Sequence, residues 1–71
     1  MATQPPEVPR PFLFLVGQDL HGRWLVQDTQ GLIEGFFQSR GDALGFARSE
    51  SDIHHVPVEL SATPLISHLR H

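Results

Sequence analysis

Two short alternating stretches separated by a glycine turn constrain this chain more than any other feature. Arg23-Trp24-Leu25-Val26-Gln27-Asp28-Thr29 sets Trp24 and Val26 on one face and Arg23, Leu25 and Gln27 on the other. After Thr29-Gln30-Gly31 the pattern resumes, with Ile33, Gly35 and Phe37 alternating against Leu32, Glu34 and Phe36. Successive side chains of a strand point to opposite faces, so two such runs joined by a short glycine loop predict an antiparallel hairpin. Gly31 suits the positive φ that tight hairpin turns demand.

The flanking segments complete a small α+β plan. Pro11-Phe12-Leu13-Phe14-Leu15-Val16-Gly17-Gln18 reads as a strand, apolar on both faces and so covered on each side. Asp19-Leu20-His21-Gly22 is the turn into the hairpin. Ala43, Leu44, Phe46 and Ala47 make an apolar stripe at helical spacing and predict a helix from about Arg40 to about Ser51. Gly45 inside it costs about 1 kcal/mol relative to alanine; it either lets the helix lie close on the sheet or merely weakens it. Ser39 is the natural N-cap, its hydroxyl accepting from the Asp42 amide. Asp42 in turn is placed to reach back to the Ser39 amide, and its charge suits the positive helix end.

Residues 54–61 form a fourth strand with Val56, Val58 and Leu60 on one face, and Pro57 confines it to an edge. Thr63-Pro64 suits the start of a short C-terminal helix that would pack Leu65, Ile66 and Leu69 on the body; the alternative is a frayed tail. The expected order is β-β-β-α-β: a three-stranded antiparallel meander, one helix on one face, and a fourth edge strand. The chain divides into a Pro-rich N-terminal arm expected to be disordered (1–11), the α+β domain (12–61) and a C-terminal segment (62–71).

Composition narrows the function. Seventy-one residues make one domain whose core supports only a few kcal/mol. With no cysteine, neither a disulfide nor a thiolate ligand or nucleophile is available. Stability must come from packing, helped by self-association. The net charge of −3, with arginine as the sole basic residue type, argues against electrostatically driven nucleic-acid binding. Phe12 to Val16 is too short an apolar run to span a membrane, and no stretch reads as an export signal, so the cytoplasm is the expected compartment. Without an extracellular setting, Arg40-Gly41-Asp42 reads as strand-to-helix punctuation rather than an adhesion signal. Pro6 and Pro9 in the arm have polyproline spacing, but the adjoining Arg10 is not spaced to orient such a ligand.

Trp24-x-Val26, a turn, a strand ending at Phe37 and then Ser39-Arg40-x-Asp42-Ala43-x-x-x-Ala47 resemble a family of small bacterial proteins grouped as domain of unknown function 2188. The resemblance covers about residues 22–60. It departs from the family in having no lysine and in carrying Gly45 where a better helix former is usual. It implies a fold and no activity.

Chemistry-bearing constellations are sparse. Zinc needs three or four ligands, commonly with histidines on one face. His55, His68 and His71 are the candidates, since His68 and His71 would share a helical face. A helix C-terminus, where cationic groups are favoured, accounts for that pair more simply, so no metal or other cofactor is expected. Protonating all five histidines would move the formal charge from −3 to +2, so self-association should respond to mildly acidic pH. Asp28 and Glu34 lie on neighbouring strands, but no nucleophile accompanies them and no catalytic residue is expected. Phe14, Trp24, Phe36 and Phe37, with Arg23, could offer bases a stacking face, yet so few aromatics barely fill one core. Leu25, Leu32 and Phe36 should lie away from the helix and form an interaction face, covered either by the C-terminal segment or by a second subunit. The favoured function is a non-catalytic protein-interaction module, a homodimer or the partner of another protein. A nucleic-acid-binding accessory domain comes next, and a small metal protein or enzyme last.

Overall fold

The computed structural model describes residues 12–68. Its elements are β1 (Phe14–Gln18), β2 (Trp24–Asp28), β3 (Glu34–Phe37), α1 (Arg40–His54) and β4 (Val58–Leu60). They form one four-stranded sheet in the order β3-β2-β1-β4 with one helix, so the β-β-β-α-β plan holds. β1, β2 and β3 are the antiparallel meander, Val16 facing Val26 and Val26 facing Gly35. β4 returns beside β1 in parallel, Phe14 next to Val58, which makes the sheet mixed. A parallel neighbour needs a long crossover, and α1 supplies it. The N-terminal arm, 1–11, lies outside the described residues, as do Leu69 and His71.

One sheet face and α1 enclose the core. Phe14, Val16 and Val26 from the sheet and Ala43 and Ala47 from the helix are fully buried, with Trp24, Phe37, Leu44, Phe46 and Val58 packed around them. The Phe37 and Phe46 rings are 5.1 Å apart, and Phe12 meets Phe14 edge-on at 5.8 Å. The close approach of helix to sheet is made by the two alanines, one turn apart. Gly45 lies on the exposed side of α1, with nothing within 4 Å of where a Cβ would stand, so it only weakens the helix.

The helix begins where the sequence places it and ends later. Ser39 is extended (φ −143°, ψ 160°), and its hydroxyl accepts from the Asp42 amide at 3.1 Å. Among the described residues no return bond runs from the Asp42 side chain to the Ser39 amide; aspartate is one methylene shorter than the glutamate that closes a capping box. The C-terminus is three residues beyond the expected one. Nothing between Ser51 and His54 breaks a helix, and the chain turns out at His55, which takes the left-handed conformation at φ 55°. The Val56 amide then donates to the Ser51 carbonyl at 3.2 Å, a helix-ending bond. His54 and His55 therefore belong to the helix end rather than to a strand, and β4 is correspondingly short.

The C-terminal segment is not a helix over 64–68. It crosses the sheet face opposite α1 in irregular form, because the sheet claims the backbone groups a helix would use. The Ser61 amide donates to the Val16 carbonyl at 2.7 Å and the Leu65 amide to the Gln18 carbonyl at 2.9 Å. The Gln27 side-chain amide donates to the Ile66 carbonyl at 3.1 Å. Leu65 is buried over Gly17, whose missing side chain makes the seat. A Cβ there would stand 3.0 Å from the Ser61 Cβ and 3.3 Å from Leu65.

Candidate interaction surface

Both hairpin turns are built by the same device. In Asp19-Leu20-His21-Gly22 and Asp28-Thr29-Gln30-Gly31 the glycine amide donates to the aspartate carbonyl, at 3.1 and 3.2 Å, and the glycines have φ of 80° and 75°. Each aspartate side chain then binds amides within the turn. Asp28 accepts from Gln30 at 3.0 Å and Ile33 at 2.6 Å while only 1% exposed. Asp19 accepts from the His21 and Arg23 amides, each at 2.9 Å, and from Arg23 Nε at 2.7 Å. Burial presses the Asp19 pKa upward. The hydrogen bonds from the Arg23 amide, the Arg23 guanidinium and the His21 amide, with the Arg23 charge, outweigh it and hold the carboxyl below the usual aspartate range. The repeated D-x-x-G spacing is the sequence signal for these anchors, and strand alternation does not reveal it.

Asp28 and Glu34 are not a carboxylate pair. Asp28 points to the α1 side, buried as a turn anchor, and Glu34 points to the opposite side. There Glu34 holds the C-terminal segment, accepting from the Ser67 hydroxyl and, at 2.9 Å, from the His68 amide, with Gln27 Nε2 at 3.1 Å.

That segment changes the expected interaction face. Leu25 is fully buried within the chain and so drops out of that face. Phe36 is half-buried, with the Arg23 guanidinium 4.4 Å above its ring centre, and Leu32 is 74% exposed. Arg23 is thus fixed twice, by the Asp19 carboxylate and by the Phe36 ring, while its side chain stays about half exposed.

The hydrogen-bond phase of the meander decides what β3 presents at the sheet edge. The Asp28 amide donates to the Ile33 carbonyl at 3.1 Å, and bonded pairs recur every second residue in an antiparallel ladder. Gly35 and Phe37 therefore turn their backbone groups toward β2. Phe36, between them, turns its amide and carbonyl outward. The same phase follows from the other strand pair, where Asp19 donates to the Arg23 carbonyl and Thr29 to the Leu13 carbonyl. The other sheet edge, β4, is only three residues long and follows Pro57.

The remaining candidates are dispersed. His55 sits at the end of α1, and His68 lies on the opposite sheet face beside Glu34. His71 is outside the described residues, among which no cluster of His, Asp or Glu is arranged to hold a metal ion. Phe14, Trp24 and Phe37 belong to the core on the helix side, leaving Phe36 as the aromatic on the opposite face. A cleft of about 180 Å³ opens between Leu20, His21 and Arg23 on one side and Leu65 and Ile66 on the other. It is below the roughly 300–1,000 Å³ of small-molecule sites. No helix among the described residues is long and apolar enough to cross a membrane. No family model, curated protein or solved structure matches the chain.

Proposed function

We propose that the chain is a non-catalytic, cytoplasmic interaction module that associates with itself through the sheet, using the outer edge of β3. The observation that carries this reading is the outward-turned backbone of Phe36 on an edge strand with no proline, lysine or bulge. Natural edge strands are commonly guarded by such devices; the guards of β3 are its length of four residues and Glu34, and its outward-turned backbone still offers a template for another strand. The neighbouring Leu32, 74% exposed, adds apolar surface at the same edge. A domain this small also gains stability from every contact that association adds. Sedimentation of the untagged chain over a wide concentration series tests it. The mass should rise from 8.0 kDa toward twice that value. A mass of 8.0 kDa at every concentration would remove the proposal.

The Arg23-Phe36 pair favours a second reading, a nucleic-acid accessory domain that stacks a base beside the guanidinium. The net charge of −3 weighs against it. Titration of single-stranded RNA and DNA at low salt, followed through Trp24 fluorescence, decides it: quenching supports this reading, and a flat signal ends it.

A further inference from the structure

We infer that β3 pairs with β3 of a second copy of this chain, antiparallel about a two-fold axis at Gly35, so that Glu34 of each copy meets the partner's Arg23. The inference rests on the self-association reading and names its geometry. A closed homodimer uses the same patch twice, and a strand edge satisfies this by running antiparallel to itself. Outward-turned residues of one β3 must face outward-turned residues of the other, and in this strand those are the even-numbered positions. An axis at either end of β3 pairs too little of the strand, and one on Glu34 also opposes two carboxylates, which leaves Phe36 itself or Gly35.

Charge chooses between the two. An axis on Phe36 sets the two Phe36 rings against each other and brings together the guanidinium that caps each, 4.4 Å above its ring centre. Like charges placed together oppose association. An axis on Gly35 sets Glu34 opposite the partner's Phe36. Directly opposed residues have Cβ atoms about 4.5–5.5 Å apart. The carboxylate then lies beside the guanidinium that covers that ring. Symmetry makes the pair twice. Both groups are already held in place: Arg23 by Asp19 and Phe36, Glu34 by contacts with Gln27, Ser67 and His68. Little side-chain freedom remains to be lost on pairing, which is the usual reason exposed ion pairs contribute little. Glycine at the axis leaves the strands free to approach. On the helix side the Phe37 ring already lies back over Gly35, 3.2 Å from where a Cβ would be.

Two measurements test this and separate it from the broader reading. In the wild-type chain, amide hydrogen exchange is followed as concentration is raised through the association range. The Phe36 amide should slow about tenfold or more on dimer formation, while the outward-turned β4 amide of Leu60 stays unchanged. Association with protection at β4 and none at Phe36 would overturn this geometry and leave self-association standing. Absence of any association would overturn both. The second measurement mixes Glu34→Arg with Arg23→Glu, each variant first checked for a native fold by circular dichroism. Each alone should associate roughly tenfold or more weakly than wild type, because its homodimer holds two like-charge pairs. The mixture should form a one-to-one dimer, because both pairs become complementary. Folded variants that each self-associate as tightly as wild type would overturn the inference. If either variant fails to fold, the wild-type exchange experiment decides.

Discussion

Replacing Leu65 by alanine probes the least regular part of the structure. Leu65 is 6% exposed, seated over Gly17, and holds the C-terminal segment across the sheet face that hides Leu25. The substitution removes three carbons from apolar contact, worth about 2 kcal/mol at roughly 0.8 kcal/mol for each buried CH₂. A rigid core site would add a cavity penalty and bring the cost toward the upper part of the 2–5 kcal/mol range. Here the segment has no regular structure and can settle into the vacated space, so the cost should stay near about 2 kcal/mol. For a domain of this size that corresponds to a fall in Tm of roughly 8–16 °C, at about 4–8 °C for each kcal/mol. Urea denaturation followed through Trp24, at a concentration where the chain is monomeric, measures it. The midpoint should fall, and exchange should quicken at the Leu65 amide, whose partner is the Gln18 carbonyl. A stability loss under about 0.5 kcal/mol would show that the segment is not docked as described, since surface substitutions fall in that range.

Other perturbations follow from single contacts. Ser39→Ala removes the oxygen that accepts from the Asp42 amide and should cost about 1 kcal/mol; unchanged thermal and urea midpoints would refute the cap. Gly45→Ala faces open space on the exposed side of α1 and should stabilise by up to about 1 kcal/mol; a loss of stability would contradict the packing described. Gly17→Ala should destabilise, because a Cβ would crowd Ser61 and Leu65 from 3.0 and 3.3 Å; equal or higher stability in urea would show that the seat is loose. Asp19 gives a pH dependence of known sign. Its folded pKa is lowered, so the unfolded chain binds the proton more readily, and stability rises with pH between the folded value and the unfolded value of about 3.9. That contribution is complete above the unfolded value and is lost as pH falls through the folded one. Asp19→Asn should flatten this part of the acid limb, and an unaltered slope would refute the assignment.

The meander and the helix start were legible because local rules decide them. Alternation placed Trp24, Val26 and Phe37 on the helix side and Leu25 and Phe36 on the other, and Ser39 before an apolar stripe is a local signal. The end of α1 was harder to read. No glycine marks it, and His55 takes a left-handed conformation that histidine adopts less often than glycine. The course of residues 64–68 depends on partners far away in sequence. Glu34 is 34 positions from the His68 amide it binds. Pro64 suits a helix start as well as an extended turn, so local propensity pointed the wrong way while the sheet backbone decided. The candidate site was half legible for the same reason. Phe36 and Leu32 were assigned to the face away from the helix from periodicity alone. The burial of Leu25 and the seating of Arg23 between Asp19 and Phe36 require the folded geometry.

Isotope-filtered NOE spectroscopy on a mixture of labelled and unlabelled wild-type chains most directly tests the claim that β3 is the self-association edge. The account predicts intermolecular contacts confined to Ile33 through Phe37 and the Arg23 side chain, with Glu34 against the partner's Phe36 and Ile33 against the partner's Phe37. Intermolecular contacts on α1 or β4 alone, or none in a sample concentrated well above the association range, would contradict it.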